Sequence, residues 1–241
     1  MKKSISIIIP LYNEGKGLEN ILSKVNNIVN KLFDDYELLI FNDCSKDRTG
    51  EIVDKLAKKN PNIRVFHNKK NMNLGYNYRV GIKYATKKYL MFLPGPDNMT
   101  MSSIENFMTN VGDKPIVTAY IGNQKIRPLN RRIISWSFIN MMNLLFGLHM
   151  KYYLGVAAYE TKLIKSVKKS TNSFALPAEV LIRLIKKGHP YKEVPIYALE
   201  IPDNPTNAFR IKNIVGISRA ILRLFFEIHF IKNSKYSGGT K

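Results

Sequence analysis

The chain has 241 residues, and 45% of them are hydrophobic, which is enough for a sizeable core and excludes a disordered chain. Its 38 Lys and Arg against 18 Asp and Glu give a formal net charge of +20, which predicts an anionic partner: nucleic acid, acidic lipid or a phosphorylated substrate. The single cysteine, Cys44, excludes an internal disulfide and favours a cytosolic location. The sequence carries none of the usual nucleic-acid-binding signatures, so nucleic acid is the least favoured partner.

The first ten residues resemble a signal peptide only in part. The apolar run is short, stops at Pro10 and lacks a small-residue cleavage site, so we interpret it as a buried first strand. No uninterrupted apolar stretch of the sequence reaches the roughly 18–20 residues that a spanning helix needs. We therefore expect a peripheral rather than an integral membrane protein.

Strand and helix patterns alternate in the first half of the sequence. Strands are predicted at residues 5–9, 36–41, 63–67 and 89–93, and helices at 17–33, 50–59 and 77–86. This alternation predicts an α/β fold in which right-handed crossovers place helices on both faces of a parallel sheet. Ligands of such sheets bind beyond the carboxyl ends of the strands, so we expect the functional site there.

The second half is less regular. Strands are predicted at residues 116–121 and 191–197, and helices at 131–148, 161–167, 178–187 and 211–231. The Ser/Gly/Lys-rich end is predicted to be disordered. We divide the chain into a main domain, residues 1–212, an amphipathic C-terminal helix, residues 213–232, and a disordered tail, residues 233–241.

Polar residues follow the first two predicted strands, in the segments Ile-Ile-Pro-Leu-Tyr-Asn-Glu (8–14) and Asn-Asp-Cys-Ser-Lys-Asp-Arg-Thr (42–49). The Asp43 carboxylate follows the second strand, where it can bind a ribose or the edge of a base. Asp47 and Thr49 are predicted instead to cap the next helix, because their oxygens can accept hydrogen bonds from its free N–H groups.

These two segments resemble the opening signature of the family 2 glycosyltransferases, and residues 73–81 resemble a third, glycine-containing motif of that family. In the third motif, Asn77 and Tyr78 occupy positions where small residues are usual. The resemblance covers residues 5 to about 215. It implies the GT-A fold, which is a Rossmann-like, mostly parallel sheet flanked by helices, and it implies a UDP- or GDP-linked sugar as donor.

The resemblance also implies site residues. Those expected to bind the nucleotide are Pro10, Tyr12, Glu14 and Asp43. A divalent cation, Mg²⁺ or Mn²⁺, would bind a D-x-D motif after the fourth strand and offset the charge of the leaving diphosphate. Here Pro94 and Pro96 replace the two aspartates, and Asp97 is the only carboxylate. We expect Asp97 to be a catalytic residue and the metal ligand; the alternative is a solvated turn aspartate in a silent protein.

The second half resembles the dolichol- and polyprenyl-phosphate sugar synthases of this family. Residues 127–135 are similar to their R-R-x-x-S element, and residues 193–196 to their EVP strand. The resemblance implies phosphate- and acceptor-binding side chains, for which the candidates are Arg127, Arg131, Ser135, Arg210 and Lys212. Arg131 is also a catalytic candidate, although Arg131 and Arg132 are alternatively ordinary surface charges. Two motifs of the branch differ here, at residues 122–124 and 151–156, so we expect a different acceptor pocket.

Glu179 lies on a predicted helix where this branch also has a glutamate, so it is a catalytic candidate; the alternative is a capping or ion-pair role. The predicted reaction is sugar transfer to a polyprenyl phosphate with inversion. A phosphate oxygen is already anionic, so this acceptor requires no strong general base. Two alternatives stay open: a saccharide hydroxyl acceptor with Glu179 as base, and a silent nucleotide-sugar-binding subunit.

Two helices, residues 133–148 and 214–231, combine apolar runs with basic residues. We predict that they lie in the interface of an anionic membrane, with Arg219 and Arg223 on one face of the second helix. The alternative is packing on the core or at a dimer seam. The expected location is therefore peripheral, on the cytoplasmic face of the membrane, with a membrane subunit or a second copy of the chain as further candidate partners.

Overall fold

A computed structural model describes residues 3–199 and 211–231, and the statements below refer to these residues. Its strands are β1 Ser4–Leu11, β2 Asp35–Asn42, β3 Ile63–His67, β4 Tyr89–Phe92, β5 Ile116–Ile121, β6 Ala157–Glu160 and β7 Tyr191–Ile196. Its helices are α1 Leu18–Leu32, α2 Thr49–Lys59, α3 Leu74–Tyr84, α4 Met101–Thr109, α5 Leu129–Phe146, α6 Thr161–Ser166, α7 Leu176–Lys186 and α8 Ile211–Phe226. A π-helical segment, Glu227–Ile231, continues α8.

The seven strands form one sheet in the order β3-β2-β1-β4-β6-β5-β7. The pairs β1–β2, β1–β4, β2–β3 and β5–β7 are parallel, whereas β6 is antiparallel to both of its neighbours. Every strand except β6 therefore ends at the same edge of the sheet. The predicted mostly parallel α/β sheet is confirmed, and its carboxyl edge gathers the loops that follow six strands.

Alternating side chains of the central strands build two apolar layers, because successive side chains of a strand point to opposite faces. Ile7 and Ile9 belong to the layer that contains α1, α2 and α4. Ile8 belongs to the layer that contains α3, α5, α6, α7 and α8. Helices on both faces explain why β1 is apolar without alternation from Ile7 to Leu11, after Ser4 and Ser6 at its start.

The sequence pattern missed two elements, α4 and β6. The amino end of α4 is capped by Thr100, whose side-chain oxygen accepts a hydrogen bond from the Ser103 N–H. The four-residue β6 is too short to show a periodicity, and its place between β4 and β5 depends on long-range pairing. The third helix begins at Leu74, three residues earlier than predicted. Its first turn contains Gly75, which packs so closely against the backbone of Asn172 and Ser173 that a Cβ would lie 2.0 Å from the Ser173 carbonyl oxygen.

The two helices predicted to lie in a membrane interface are each only partly buried. Met142 and Phe146 of α5 and Ile221 and Leu224 of α8 are buried in the same apolar layer. Within the described ranges, no helix has the length and apolar character needed to cross a membrane. The described residues do not include 200–210 or 232–241. The expected disordered tail therefore lies outside them.

Candidate functional site

A cavity of about 410 Å³ opens at the carboxyl edge of the sheet. All four side chains predicted to bind the nucleotide line it, so the structure brings together loops that are far apart in sequence. The complete lining is Pro10, Leu11, Tyr12, Glu14, Asp43, Asn71, Asn73, Leu74, Asn77, Pro94, Gly95 and Phe174. Apolar and aromatic walls with several amide and carboxylate groups suit a planar base joined to a polar sugar phosphate.

The loop after β1 is held by residues at the start of α2. The Glu14 N–H donates to Thr49 Oγ1 at 2.9 Å, and the Gly15 N–H donates to Asp47 Oδ2 at 2.8 Å. The other Asp47 oxygen accepts from the Thr49 N–H, the first N–H of the helix, at 3.0 Å. The predicted capping by Thr49 is wrong, because its hydroxyl accepts from Glu14 and donates to Asp47. Asp47 and Thr49 therefore fix the position of Glu14 in the cavity wall.

The Asp43 carboxylate is buried at the base of the cavity and organises the loop after β3. Its Oδ1 accepts hydrogen bonds from Asn68 Nδ2 and the Met72 N–H, both at 2.8 Å, and its Oδ2 accepts from the Asn73 N–H at 3.0 Å. Two carboxylate oxygens can accept about four hydrogen bonds, so a position remains for a ligand donor. Asp43 thus shapes the cavity as well as lining it.

Asn77 belongs to the wall of the same cavity and carries a buried, unpaired hydrogen-bond donor. Its Oδ1 accepts from Asn68 Nδ2 at 2.6 Å, whereas its Nδ2 has no hydrogen-bond partner among the described residues. The side chain is only 1% exposed. Because an unsatisfied buried donor costs about 1–3 kcal/mol, an acceptor on a bound ligand would relieve that cost.

Glu14, in the cavity wall, forms a carboxyl pair with Asp97, which is not itself among the described residues that line the cavity. Burial raises the pKa of Glu14 to about 7, and the charge and hydrogen bond of the Asp97 carboxyl, followed by the charge of Asp47, add to the effect. Asp97 lies in a single 3-10 turn, Pro96–Asn98, and its Oδ1 accepts from Asn98 Nδ2 at 2.8 Å. The sequence offered one carboxylate after the fourth strand, and the fold brings a second from the loop after β1.

The predicted phosphate-binding residues Arg127, Arg131 and Ser135 lie at the same edge of the sheet, after β5 and in the first two turns of α5. All three are partly buried, and none is part of the cavity lining in the described part of the chain. Arg210 lies outside the described residues, and the Lys212 side chain is likewise not described. Their roles therefore remain predictions.

Glu179 lies apart from this cavity, on α7. Its carboxylate accepts from the Ser170 N–H at 2.9 Å, from the Thr171 N–H at 3.2 Å and from Arg183 Nε at 2.9 Å. A side chain that is 4% exposed and accepts this many hydrogen bonds has little capacity left to take a proton from a substrate. The geometry favours the ion-pair alternative over the catalytic one.

Several cavity residues escaped the analysis of sequence. Asn71, Asn73 and Leu74 follow β3 at the expected edge, so the topology alone could have indicated them. Phe174 precedes α7 and carries no comparable signal. A further mark of this edge is its backbone conformation: in the described ranges, the non-glycine residues with positive φ are Asn13, Cys44 and Asn73, at 57°, 63° and 70°, one in each loop after β1, β2 and β3. Strained backbone of this kind is concentrated at functional sites.

Comparison with known proteins places the chain among sugar-transferring enzymes. The family model described as glycosyl transferase family 2 matches residues 6–165. A dolichol-phosphate mannosyltransferase from Pyrococcus furiosus is 30% identical over 137 residues, which are 54% of this chain and 38% of that protein. The chain also spans less than half the length of two other curated relatives. It covers 28% of a glycosyltransferase from Bacillus subtilis and 40% of one from Streptococcus pneumoniae.

Solved structures agree in fold. Glucosyl-3-phosphoglycerate synthase from Mycobacterium tuberculosis with bound UDP has a TM-score of 0.67 at 14% identity, over 94% of this chain and 80% of that one. A mannosyltransferase from Pyrobaculum calidifontis with GDP-mannose and Mn²⁺ has a TM-score of 0.62 at 15% identity, over 95% and 71%. These likenesses confirm the predicted GT-A architecture. The matched family model covers more than half of the sequence, and the chain belongs to glycosyl transferase family 2.

Proposed function

We propose that the protein transfers a sugar from a nucleoside diphosphate sugar to a lipid phosphate at a membrane surface, with inversion. The observation that carries the donor half of this proposal is the cavity at the carboxyl edge of the sheet, where Asp43, Glu14 and the unsatisfied Asn77 donor converge. Tyr12 and Phe174 supply aromatic faces for a base. The related structures with UDP and with GDP-mannose support this class of donor.

A divalent cation fits the carboxyl pair. Glu14 and Asp97 would hold Mg²⁺ or Mn²⁺, since carboxylate oxygens are the ligands that these hard cations prefer. The described residues contain no group of three or more His, Cys, Asp or Glu side chains placed to hold a metal, so the donor diphosphate would complete the ligand set. When bound, the cation would offset the charge that develops on the leaving diphosphate. Asp97 is therefore proposed as a ligand together with Glu14, rather than alone.

The chain's own residues bind and orient the donor. Asp43 holds the loop of Met72 and Asn73 against the cavity, and the same carboxylate keeps one hydrogen-bond position for the ribose or the base. Basic side chains at the same edge, among them Arg127 and Arg131, would receive the acceptor phosphate. Alignment of two anionic reactants by fixed cationic groups lowers the barrier without a proton transfer.

Two features support a lipid acceptor over a saccharide. Glu179, the general base predicted for a saccharide hydroxyl, lies outside the donor cavity and is occupied by hydrogen bonds. Exposed apolar side chains on α5 and α8, such as Trp136 and Phe226, give the molecule a surface suited to a bilayer. The similarity to a dolichol-phosphate mannosyltransferase points to the same class of acceptor.

The test combines binding and transfer. Thermal-shift titrations with UDP and GDP, with and without Mn²⁺, should show stabilisation by one nucleotide that Mn²⁺ increases, and Asp97→Asn or Glu14→Gln should abolish only the metal-dependent part. Asp113→Asn, at an exposed ion pair with Lys192, is the control. Label from the donor sugar should then appear on polyprenyl phosphate and not on a soluble saccharide.

Each alternative outcome would indicate a different function or mechanism for the protein. Nucleotide binding without transfer to any acceptor would favour the silent subunit. Transfer that survives Asp97→Asn or excess chelator would assign the leaving diphosphate to basic side chains. Transfer to saccharides alone would overturn the lipid acceptor.

A further inference from the structure

A second cavity, of about 250 Å³, lies between the loop 170–173, α7 and α8. Its wall includes three arginines, Arg183, Arg219 and Arg223, and the hydroxyl-bearing residues Ser170 and Thr171. None of its lining residues lines the nucleotide cavity, although Ser173 in one wall directly precedes Phe174 in the other. Its volume is below the roughly 300–1,000 Å³ of pockets for drug-sized ligands, so it suits a small group.

The carboxylates at this cavity are already neutralised. Glu179 accepts from Arg183 Nε at 2.9 Å and from two backbone N–H groups. Glu227 forms ion pairs with Arg183 at 2.6 Å, Arg223 at 3.0 Å and Lys168 at 3.2 Å. Although burial opposes the charged form, these hydrogen bonds hold the pKa of Glu227 down to about 2, so it stays anionic at neutral pH. Neither carboxylate is left to repel an incoming anion.

Arg219 is the cation in excess. It is exposed on α8 one turn before Arg223, so the two guanidinium groups occupy the same side of the helix. No hydrogen bond or ion pair joins Arg219 to another described residue. Gly216 lies a further turn back on α8. A Cβ added to it would lie 3.5 Å from the Ser173 Cβ, so the glycine keeps the space beside Ser173 open. Together these features leave a cationic opening in which Arg219 has no carboxylate partner among the described residues.

The surroundings are also positive. The Arg79 guanidinium donates to the carbonyl oxygens of Lys169 and Thr171, on the side of the loop that faces α3. Burial lowers the pKa of Lys169, and the charge of Arg79 lowers it further, with an opposing contribution from Glu179. A loop bordered by cations on both sides creates a local potential that attracts anions.

We infer that this cavity is a phosphate-binding site separate from the nucleotide cavity, with Arg219 as its principal ligand. Guanidinium groups bind phosphate oxygens bidentately, and the hydroxyl groups of Ser170 and Ser173, which accept hydrogen bonds within the protein, can donate to the same oxygens. The phosphate could come from a membrane lipid headgroup or from solution. Leu222 and Phe226, exposed apolar side chains on α8, place the site beside a surface of lipid-compatible chemistry.

The site can be located by NMR titration of the full chain with inorganic phosphate. The backbone amides of Ser170, Thr171 and Gly216 should shift in a saturable manner, and Arg219→Gln should weaken that binding by about tenfold, the usual value of one charge-assisted contact. Lys58→Gln is the control, because it removes the same charge from an exposed site on α2. Shifts confined to the nucleotide cavity, or an Arg219→Gln titration equal to that of the unaltered protein, would overturn the proposal.

Vesicles identify the source of the phosphate. Sedimentation with phosphatidylcholine vesicles containing phosphatidic acid, a monoester, is compared with vesicles containing phosphatidylglycerol, a diester. A preference for phosphatidic acid that Arg219→Gln removes and Lys58→Gln retains would assign the site to a lipid headgroup. Saturable amide shifts without that preference would assign it to a soluble phosphate.

Discussion

Asp43 has a structural role, and we propose a ligand-binding role for the same side chain. Its three accepted hydrogen bonds come from Asn68, Met72 and Asn73, so the carboxylate fixes the loop that forms one wall of the cavity. The sequence predicts that Asp43→Ala removes nucleotide binding and leaves the fold intact. The structure refines this expectation, because the alanine would also release the loop 68–73.

Asparagine at this position separates the two roles. Asp43→Asn retains one oxygen for the backbone N–H groups and loses the charge, so we expect nucleotide affinity to fall by at least about tenfold with a small change in melting temperature. Asp43→Ala should lose similar affinity and about 2 kcal/mol of unfolding free energy as well. Calorimetry and thermal unfolding measure the two effects. Equal nucleotide affinity in Asp43→Asn and in the control Asp113→Asn would remove Asp43 from the ligand contacts.

The site shows which residues a sequence can indicate. Pro10, Tyr12 and Asp43 lie at the carboxyl ends of strands whose parallel direction can be predicted, so their meeting at one edge follows from topology. The pairing of Glu14 with Asp97 depends on the three-dimensional course of the loops after β1 and β4, and no local pattern contains it. Phe174 arrives from a loop that is positioned by contact between Gly75 and the backbone of residues 172–173.

At the scale of elements, α8 is attached to the molecule by apolar contacts and by one ion-pair cluster. Ile221, Leu224 and Ile228 are buried against the layer that contains α7. Beside them, Glu227 binds Arg183 of α7, Arg223 and Lys168. The helical periodicity of residues 211–231 predicted this helix but not its partners, because ion pairs between distant elements leave no trace in a local pattern.

The Glu227 cluster should make the stability of the molecule depend on pH. The folded-state pKa of about 2 lies below the ordinary 4.5, so this carboxylate contributes stability that is present above about pH 4.5 and is lost as the pH falls toward 2. Glu227→Gln should therefore cost on the order of 2 kcal/mol at pH 7, and the difference from the unaltered protein should shrink at pH 3.

Thermal unfolding at the two pH values measures this difference. Glu105→Gln serves as the control, since its pair with Lys31 is exposed and contributes little. A stability difference for Glu227→Gln that is the same at pH 7 and pH 3 would show that the cluster is not the source.

At the scale of the whole molecule, basic residues and exposed apolar side chains occur together on α5 and α8. The carboxyl ends of these helices are in contact, with the Phe146 ring 6.4 Å from the Phe225 ring and His229 Nε2 2.9 Å from the Leu145 carbonyl oxygen. Around this junction, Leu144 is 85% exposed and Phe230 is 69% exposed. If the protein binds an anionic membrane, as we propose, the net charge of +20 would supply the attraction and these side chains the apolar area that enters it.

This arrangement predicts salt-sensitive binding to anionic vesicles that also requires the apolar side chains. Each basic residue near the surface contributes about 1 kcal/mol, and burial of one large apolar side chain contributes about 1.5–3 kcal/mol. Leu144→Glu or Phe230→Glu should therefore reduce flotation with phosphatidylglycerol-containing vesicles by about tenfold or more. Because both side chains are exposed, the melting temperature should change little.

The control introduces a glutamate on the surface outside the α5–α8 junction. Tyr84→Glu alters an exposed aromatic residue at the carboxyl end of α3, away from the α5–α8 junction, and should leave flotation nearly unchanged. Raising the salt concentration should weaken binding of the unaltered protein, because the attraction between exposed charges is screened. Flotation that is equal with neutral and anionic vesicles would remove the electrostatic contribution. Absence of flotation with both would assign the exposed faces of α5 and α8 to a protein partner, since apolar side chains exposed to this extent are otherwise unfavourable in water.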